Sequence, residues 1–140
     1  MTIGYESLYS AIVTILVLAL YFYMGSVVGR MRGRHNVVAP AVIGHPEFER
    51  AFRVHANTME QLVLFLPLLW LATLLYNGIA WLPALFGLIF LIGRIVYMQI
   101  YMSDPQKRGP GILIGMVGVL GLLVLTIIGI VQVWSALSAT

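Results

Sequence analysis

The chain has 140 residues, of which 61% are hydrophobic and only 9% charged, against about a quarter charged in a soluble domain. A separate soluble domain is therefore excluded, and without Cys so are a disulfide, a Cys-ligated iron–sulfur cluster and a thiolate nucleophile of the protein's own. The formal charge of +3 does not indicate nucleic acid, because the cations flank apolar runs and do not cover one face.

The first uncharged run lies between Glu6 and Arg30. It exceeds a signal-peptide core and carries its cations after the apolar stretch, so it reads as a retained helix over about 8–29. The next run, between Glu60 and Arg94, is too long for one span and is broken by Asn77-Gly78 with Pro83 close behind, a strong turn signal. Two antiparallel helices are predicted, at about 46–76 and 80–102. Pro46 suits a first helical position, and Glu47 and Glu49 complement the positive end of that helix's dipole. Residues 104–110 hold two prolines and two cations and read as a loop. A fourth helix is expected over about 111–137. A bilayer core takes about 20 apolar residues per helix, so the expected fold is all-α and integral to the membrane, a bundle of four transmembrane helices with no strand.

Four spans place loops 30–46 and 104–110 on one side, and both are basic. The positive-inside rule makes that side cytoplasmic and puts both termini opposite. Glycines recur at close-packing spacings, at Gly25 and Gly29, Gly111 and Gly115, and Gly118 and Gly121. They suit tight helix contacts in lipid, either within the bundle or between subunits.

Polar residues on the middle helices match in depth. Counting about 1.5 Å per residue from the outer turn, Glu60 lies about 24 Å in and Arg94 about 21 Å in. Asn57 and Tyr97 form the next layer, and Arg53 and Tyr101 the one beyond. Arg53, Asn57 and Glu60 follow i, i+4, i+7 spacing, and Arg94, Tyr97 and Tyr101 follow i, i+3, i+7, so each set is one stripe of a helix. Charges facing lipid are expensive, so both stripes should face protein or a wet cavity. One reading makes Glu60 and Arg94 a purely structural ion pair; the other makes the two stripes a binding site. The guanidinium groups can fork onto carboxylates, Glu60 can hold an ammonium, and Asn and Tyr can bond an amide backbone. A small zwitterionic peptide with two carboxylates and one amine fits. Glutathione is such a molecule, and it brings the thiol that the chain lacks. A cation near the thiol would raise its thiolate fraction. Arg108 is a candidate for that role, the alternative being an ordinary loop cation.

The segments Gly44-His-Pro-Glu-Phe-Glu-Arg-Ala-Phe-Arg53, Asn57-x-x-Glu60 with Phe65, and Gly93-Arg94-x-x-Tyr97-x-x-x-Tyr101 resemble the membrane-associated proteins in eicosanoid and glutathione metabolism (MAPEG). Val28-Gly29-Arg-Met-Arg32 and Pro40-Ala-Val-x-Gly44 are similar as well, so the resemblance touches all four predicted helices and treats residues 1–140 as one membrane domain. It implies a homotrimer with glutathione bound between subunits near the cytoplasmic side. Arg53, Asn57 and Glu60 would come from one subunit and Arg94, Tyr97 and Tyr101 from its neighbour. Arg32 would contact a glutathione carboxylate, and Arg108 would activate the thiol. The chain departs from the pattern of the glutathione-using proteins it resembles at Gln61, where Tyr is frequent, at His55, where Gln is common, and at Ile100, where Gly is common. Asp104-Pro105 also alters the approach to Arg108. Gln61 and His55 still offer hydrogen-bonding groups and stay in the expected glutathione-binding set.

These features imply a membrane glutathione transferase, with glutathione-dependent peroxidase activity as a further expectation and a lipophilic second substrate arriving from the bilayer. A non-catalytic lipid- or glutathione-binding scaffold is the main alternative. A small multidrug transporter is a third reading, opposed by the cation placed level with Glu60. His35, His45 and His55 lack tight metal-ligand spacing, so no metal site is expected.

Overall fold

The computed structural model describes residues 4–139. They form four long helices: α1 (Tyr5–Arg34), α2 (Pro46–Leu75), α3 (Leu82–Ser103) and α4 (Gly109–Ser138), with a 3-10 turn at Pro105–Lys107 before α4. Among the described residues there is no strand. Each long helix has the length and apolarity to cross a membrane.

The first helix is longer than its apolar run. Its 30 residues span about 45 Å, whereas the hydrocarbon core is about 30 Å thick, so the last turns carry Arg30, Arg32 and Arg34 beyond that core. Apolarity marks the part of a helix that lies in lipid, and the backbone continues past it. The predicted 104–110 loop is likewise shorter than expected. Gly109 and Pro110 open α4, where the missing proline N–H is no loss because first-turn N–H groups have no intrahelical partner.

Why α2 begins at Pro46 is visible at its cap. The His45 ring accepts a hydrogen bond from the Glu47 N–H at 3.3 Å, and the Glu49 carboxylate accepts one from the Gly44 N–H at 2.9 Å. Between α1 and α2, Arg32 donates to the carbonyls of Val37 (3.2 Å) and Ala41 (2.9 Å) and lies 4.7 Å from the Phe48 ring centre.

The core centres on Phe65 and Phe90, stacked with centroids 4.0 Å apart, together with Val13, Val17, Leu69 and Leu122. Buried polar groups are paired across helices. Ser10 and Thr73 share a 2.6 Å hydrogen bond between α1 and α2, and Thr73 also donates to the Leu69 carbonyl. Large apolar side chains such as Phe22 and Leu113 face outward, as a lipid-facing surface requires and a water-facing one does not tolerate.

Glycines bring α3 and α4 into backbone contact. A Cβ on Gly111 would sit 2.5 Å from the Tyr97 Cα, one on Gly118 would sit 2.7 Å from both the Phe86 carbonyl oxygen and the Phe90 nitrogen, and one on Gly93 would overlap the Gly115 backbone. Of the two packing roles open to these glycines, Gly111 and Gly118 serve the bundle itself. Gly29 has nothing within 4 Å of a Cβ position and serves no packing within the chain.

Candidate functional site

The turn between Tyr76 and Trp81 returns α3 antiparallel to α2, so residues equidistant from it meet. Asn57 Nδ2 donates to the Tyr97 hydroxyl at 2.6 Å. Glu60 and Arg94 line the same cleft, of about 500 Å³, with Asn57, Gln61, Tyr97 and Arg108. The depth matching is therefore real. Within one chain the two stripes approach each other at the Asn57–Tyr97 layer. The physical reason is the short α2–α3 turn, which makes these two helices face neighbours.

Glu60 and Arg94 do not form the ion pair considered from the sequence. Arg94 Nη2 donates to Thr58 Oγ1 at 2.7 Å, and the Thr58 hydroxyl in turn donates to the Val54 carbonyl at 2.8 Å. The Arg94 guanidinium carbon lies 4.1 Å from the Tyr97 ring centre, a cation–π distance. Arg94 is buried, and its Nε has no partner among the described residues. Glu60 is exposed at the cleft. Thr58 is thus a site residue that the stripe pattern passed over. It stands between Asn57 and Glu60, one position off the stripe, and the signal for it was the need of a buried guanidinium for an acceptor at its own depth.

Because Thr58 satisfies a buried cation, Thr58→Val is nearly isosteric yet leaves Arg94 without its acceptor. Hydrogen bonds to charged groups contribute about 1.5–3 kcal/mol. The variant should lose stability in that range, read as a lower unfolding midpoint in detergent, and an unchanged midpoint would show that Arg94 finds another acceptor.

Arg108 reaches the cleft through a built turn. The Asp104 side chain accepts from the Gln106 N–H at 3.0 Å and pairs with Lys107 at 3.3 Å, shaping the 3-10 turn. Arg108 Nη1 donates to the Pro105 carbonyl at 3.2 Å, and its guanidinium carbon lies 6.0 Å from the Tyr101 ring centre. Asp104-Pro105 therefore presents Arg108 at the rim of the cleft. The Gln106 backbone hydrogen bond, followed by Lys107, holds the Asp104 carboxyl below its usual value. A lowered carboxyl pKa means that the turn is favoured at all pH above the ordinary carboxylate range and released as pH falls through the lowered value. Amide exchange at Gln106 should be slow at neutral pH and accelerate, relative to the intrinsic rate, on acidification. Asp104→Ala should remove that pH dependence.

The other expected site residues lie apart. Arg53 and Tyr101 line a second cleft, of about 440 Å³, with Glu49, Arg50 and Phe52. Arg50 donates to the last carbonyls of α3, at Met102 (3.1 Å) and Ser103 (3.2 Å), and so ties the two helices beneath that cleft. Arg32 is engaged with the 37–41 backbone. His55 faces α1, stacked on Tyr21 with centroids 4.4 Å apart, and lines neither cleft. The histidine reading needs one correction. Sequence spacing separated the three, but the α1–α2 connection brings His35 onto His45, with ring centroids 3.5 Å apart and planes 9° from parallel. Glu47 stands beside them, 2.9 Å from His35 Nε2.

The family model described as the MAPEG family matches residues 10–128. The chain belongs to the MAPEG family. An uncharacterized protein of Synechocystis is 39% identical over 110 residues, 79% of each chain. Microsomal glutathione S-transferase 2 of Homo sapiens is 35% identical over 111 residues, 79% of this chain and 74% of that protein. Leukotriene C4 synthase of Cavia porcellus is 39% identical over 98 residues, 70% of this chain and 64% of that protein. Four helices of spanning length in a member of this family make the chain an integral, multi-pass membrane protein.

Proposed function

We propose that this protein is a membrane glutathione transferase. The observation that carries this reading is the convergence of Asn57, Glu60, Gln61, Arg94, Tyr97 and Arg108 on one cleft among apolar helices, in a chain similar to microsomal glutathione S-transferase 2. Arg94 and Arg108 supply positive charge for the carboxylates and the sulfur, Glu60 supplies negative charge for the amine, and Asn57, Gln61 and Tyr97 supply amide-pairing groups. Arg53 and Tyr101 extend the polar surface toward the cytoplasmic end.

In the proposed reaction the glutathione thiol gives its proton to water, and the thiolate is held by Arg108. The sulfur attacks an electrophilic carbon of a lipophilic substrate; the new C–S bond forms as the bond to the leaving group breaks, and the leaving group departs with that electron pair. With a lipid hydroperoxide the thiolate attacks oxygen instead and the O–O bond breaks. A second glutathione then releases the disulfide, so two thiols reduce one hydroperoxide to an alcohol and water. Holding both reactants together and raising the thiolate fraction are the two sources of rate.

The homotrimer expected for such a chain belongs to the same proposal. Glu60 is exposed at a depth where lipid contact is expensive, and a neighbouring subunit would cover it. Arg32 and His55, which line neither cleft, would then complete the site across the subunit boundary. The basic loops 30–46 and 104–110 are assigned to the cytoplasmic side and the termini to the other.

The test is ultraviolet difference absorbance on adding glutathione to the purified protein at neutral pH. A saturable thiolate signal is expected. Binding without that signal would favour the non-catalytic scaffold, and no binding would sink both. Two arginines lining the cleft that holds Glu60 disfavour a cationic transport substrate there.

A further inference from the structure

The α1–α2 connection carries a cluster that the glutathione chemistry does not use. His35 caps the end of α1 and His45 the start of α2, so nine intervening residues fold back to bring two imidazoles and Glu47 together. One potential ligand atom from each of these three side chains lies within 4.8 Å of the other two. A helix cap needs only the His45 ring nitrogen that accepts from Glu47. The second imidazole and the carboxylate go beyond capping.

We propose that His35, His45 and Glu47 form a binding site for a divalent transition metal of the zinc class. Two imidazoles and one carboxylate are a favourable donor set for zinc, with a fourth position for water, while magnesium and calcium prefer all-oxygen shells. Tetrahedral ligand distances place donor atoms about 3.4 Å apart, so the cluster is near closure. The His35 Nε2 to Glu47 contact of 2.9 Å shares a proton that the metal would displace. The ring planes are nearly parallel and His45 Nδ1 accepts from the Glu47 N–H, so binding requires a turn about χ2 that makes one nitrogen of each imidazole converge, with release of that cap bond. Arg34 lies 3.9 Å from the Glu47 carboxylate and is well exposed, which leaves it free to swing away. Glu47, itself half exposed, opens the cluster to solvent. Bound metal would clamp the ends of the loop that contributes Val42 and Ile43 to the cleft beside Arg53.

The test uses the full-length protein without a polyhistidine tag, stripped with chelator and free of glutathione, which binds metals itself. Equilibrium dialysis against zinc should give one ion per chain, and cobalt should give the absorption of a tetrahedral site. In a His35→Asn, His45→Asn double variant, zinc binding should be at least about tenfold weaker, since Asn is a poor ligand yet retains an acceptor for the α2 cap. Zinc should raise the thermal midpoint of the wild type and leave that of the variant unmoved. Should the double variant fail to fold, Glu47→Gln must show the weakened binding instead. No zinc uptake by the wild type, or equal uptake by wild type and a folded variant, would overturn the proposal.

Discussion

Arg108→Ala is expected to lower turnover by about 100-fold while glutathione affinity changes only a few-fold, a loss typical of removing one electrostatic stabiliser of a developing or resident anion. The separation follows from position. Arg108 stands at the cleft rim, exposed, and its polar contacts are a bond to the Pro105 carbonyl and the Tyr101 ring face, so its removal leaves Asn57, Glu60, Arg94 and Tyr97 in place to bind. Without the guanidinium the bound thiol reverts toward the ordinary thiol pKa of about 8.5. The rate should then climb as pH is raised through that value, whereas the wild type, in which Arg108 is proposed to lower the thiol pKa, should already be on its plateau at neutral pH. Arg108→Lys keeps the charge and should recover part of the rate. Steady-state kinetics with a lipophilic electrophile, run across pH, distinguish these outcomes. Equal turnover in wild type and Arg108→Ala would remove the arginine from the chemistry.

Gly118→Leu should damage the bundle severely, costing about 3 kcal/mol or more, at or beyond the upper end of ordinary overpacking. A Cβ there meets the Phe86 carbonyl oxygen and the Phe90 nitrogen, each at 2.7 Å, and backbone cannot step aside as a side chain can. Separating α3 from α4 would also disturb Phe90, whose ring stacks on Phe65 at the centre of the core. Leu120→Ala on the same helix, at an exposed position, provides the control and should be nearly neutral. Thermal unfolding in detergent, followed by helical circular dichroism, reads the difference. A Gly118→Leu midpoint equal to that of the wild type would mean that the two helices are not held as close as they are here.

Much of the candidate site could be read from residue order because helix geometry is local. Asn57 and Tyr97 meet because both lie a countable number of residues from one short turn, and a regular rise per residue turns that count into depth. Arg108 was placed near the same site by its loop, but its presentation depended on Asp104 and Pro105 building a 3-10 turn, which no periodicity encodes. Gln61 lines the cleft and His55 does not, because on α2 it points back to Tyr21 on α1.

By itself, the sequence determined the number of spans, the all-helical class and the two polar stripes. These follow from the length of apolar chain that a bilayer demands and from the 3.6-residue period. Tertiary structure decided the partners. Arg94 takes Thr58 rather than Glu60, Gly111 and Gly118 serve α3 rather than a neighbouring chain, and His35 rests on His45 across a folded-back loop. Each choice depends on how helices rotate and approach one another, and that is set by packing summed over the whole bundle, which spacing along one chain segment does not contain.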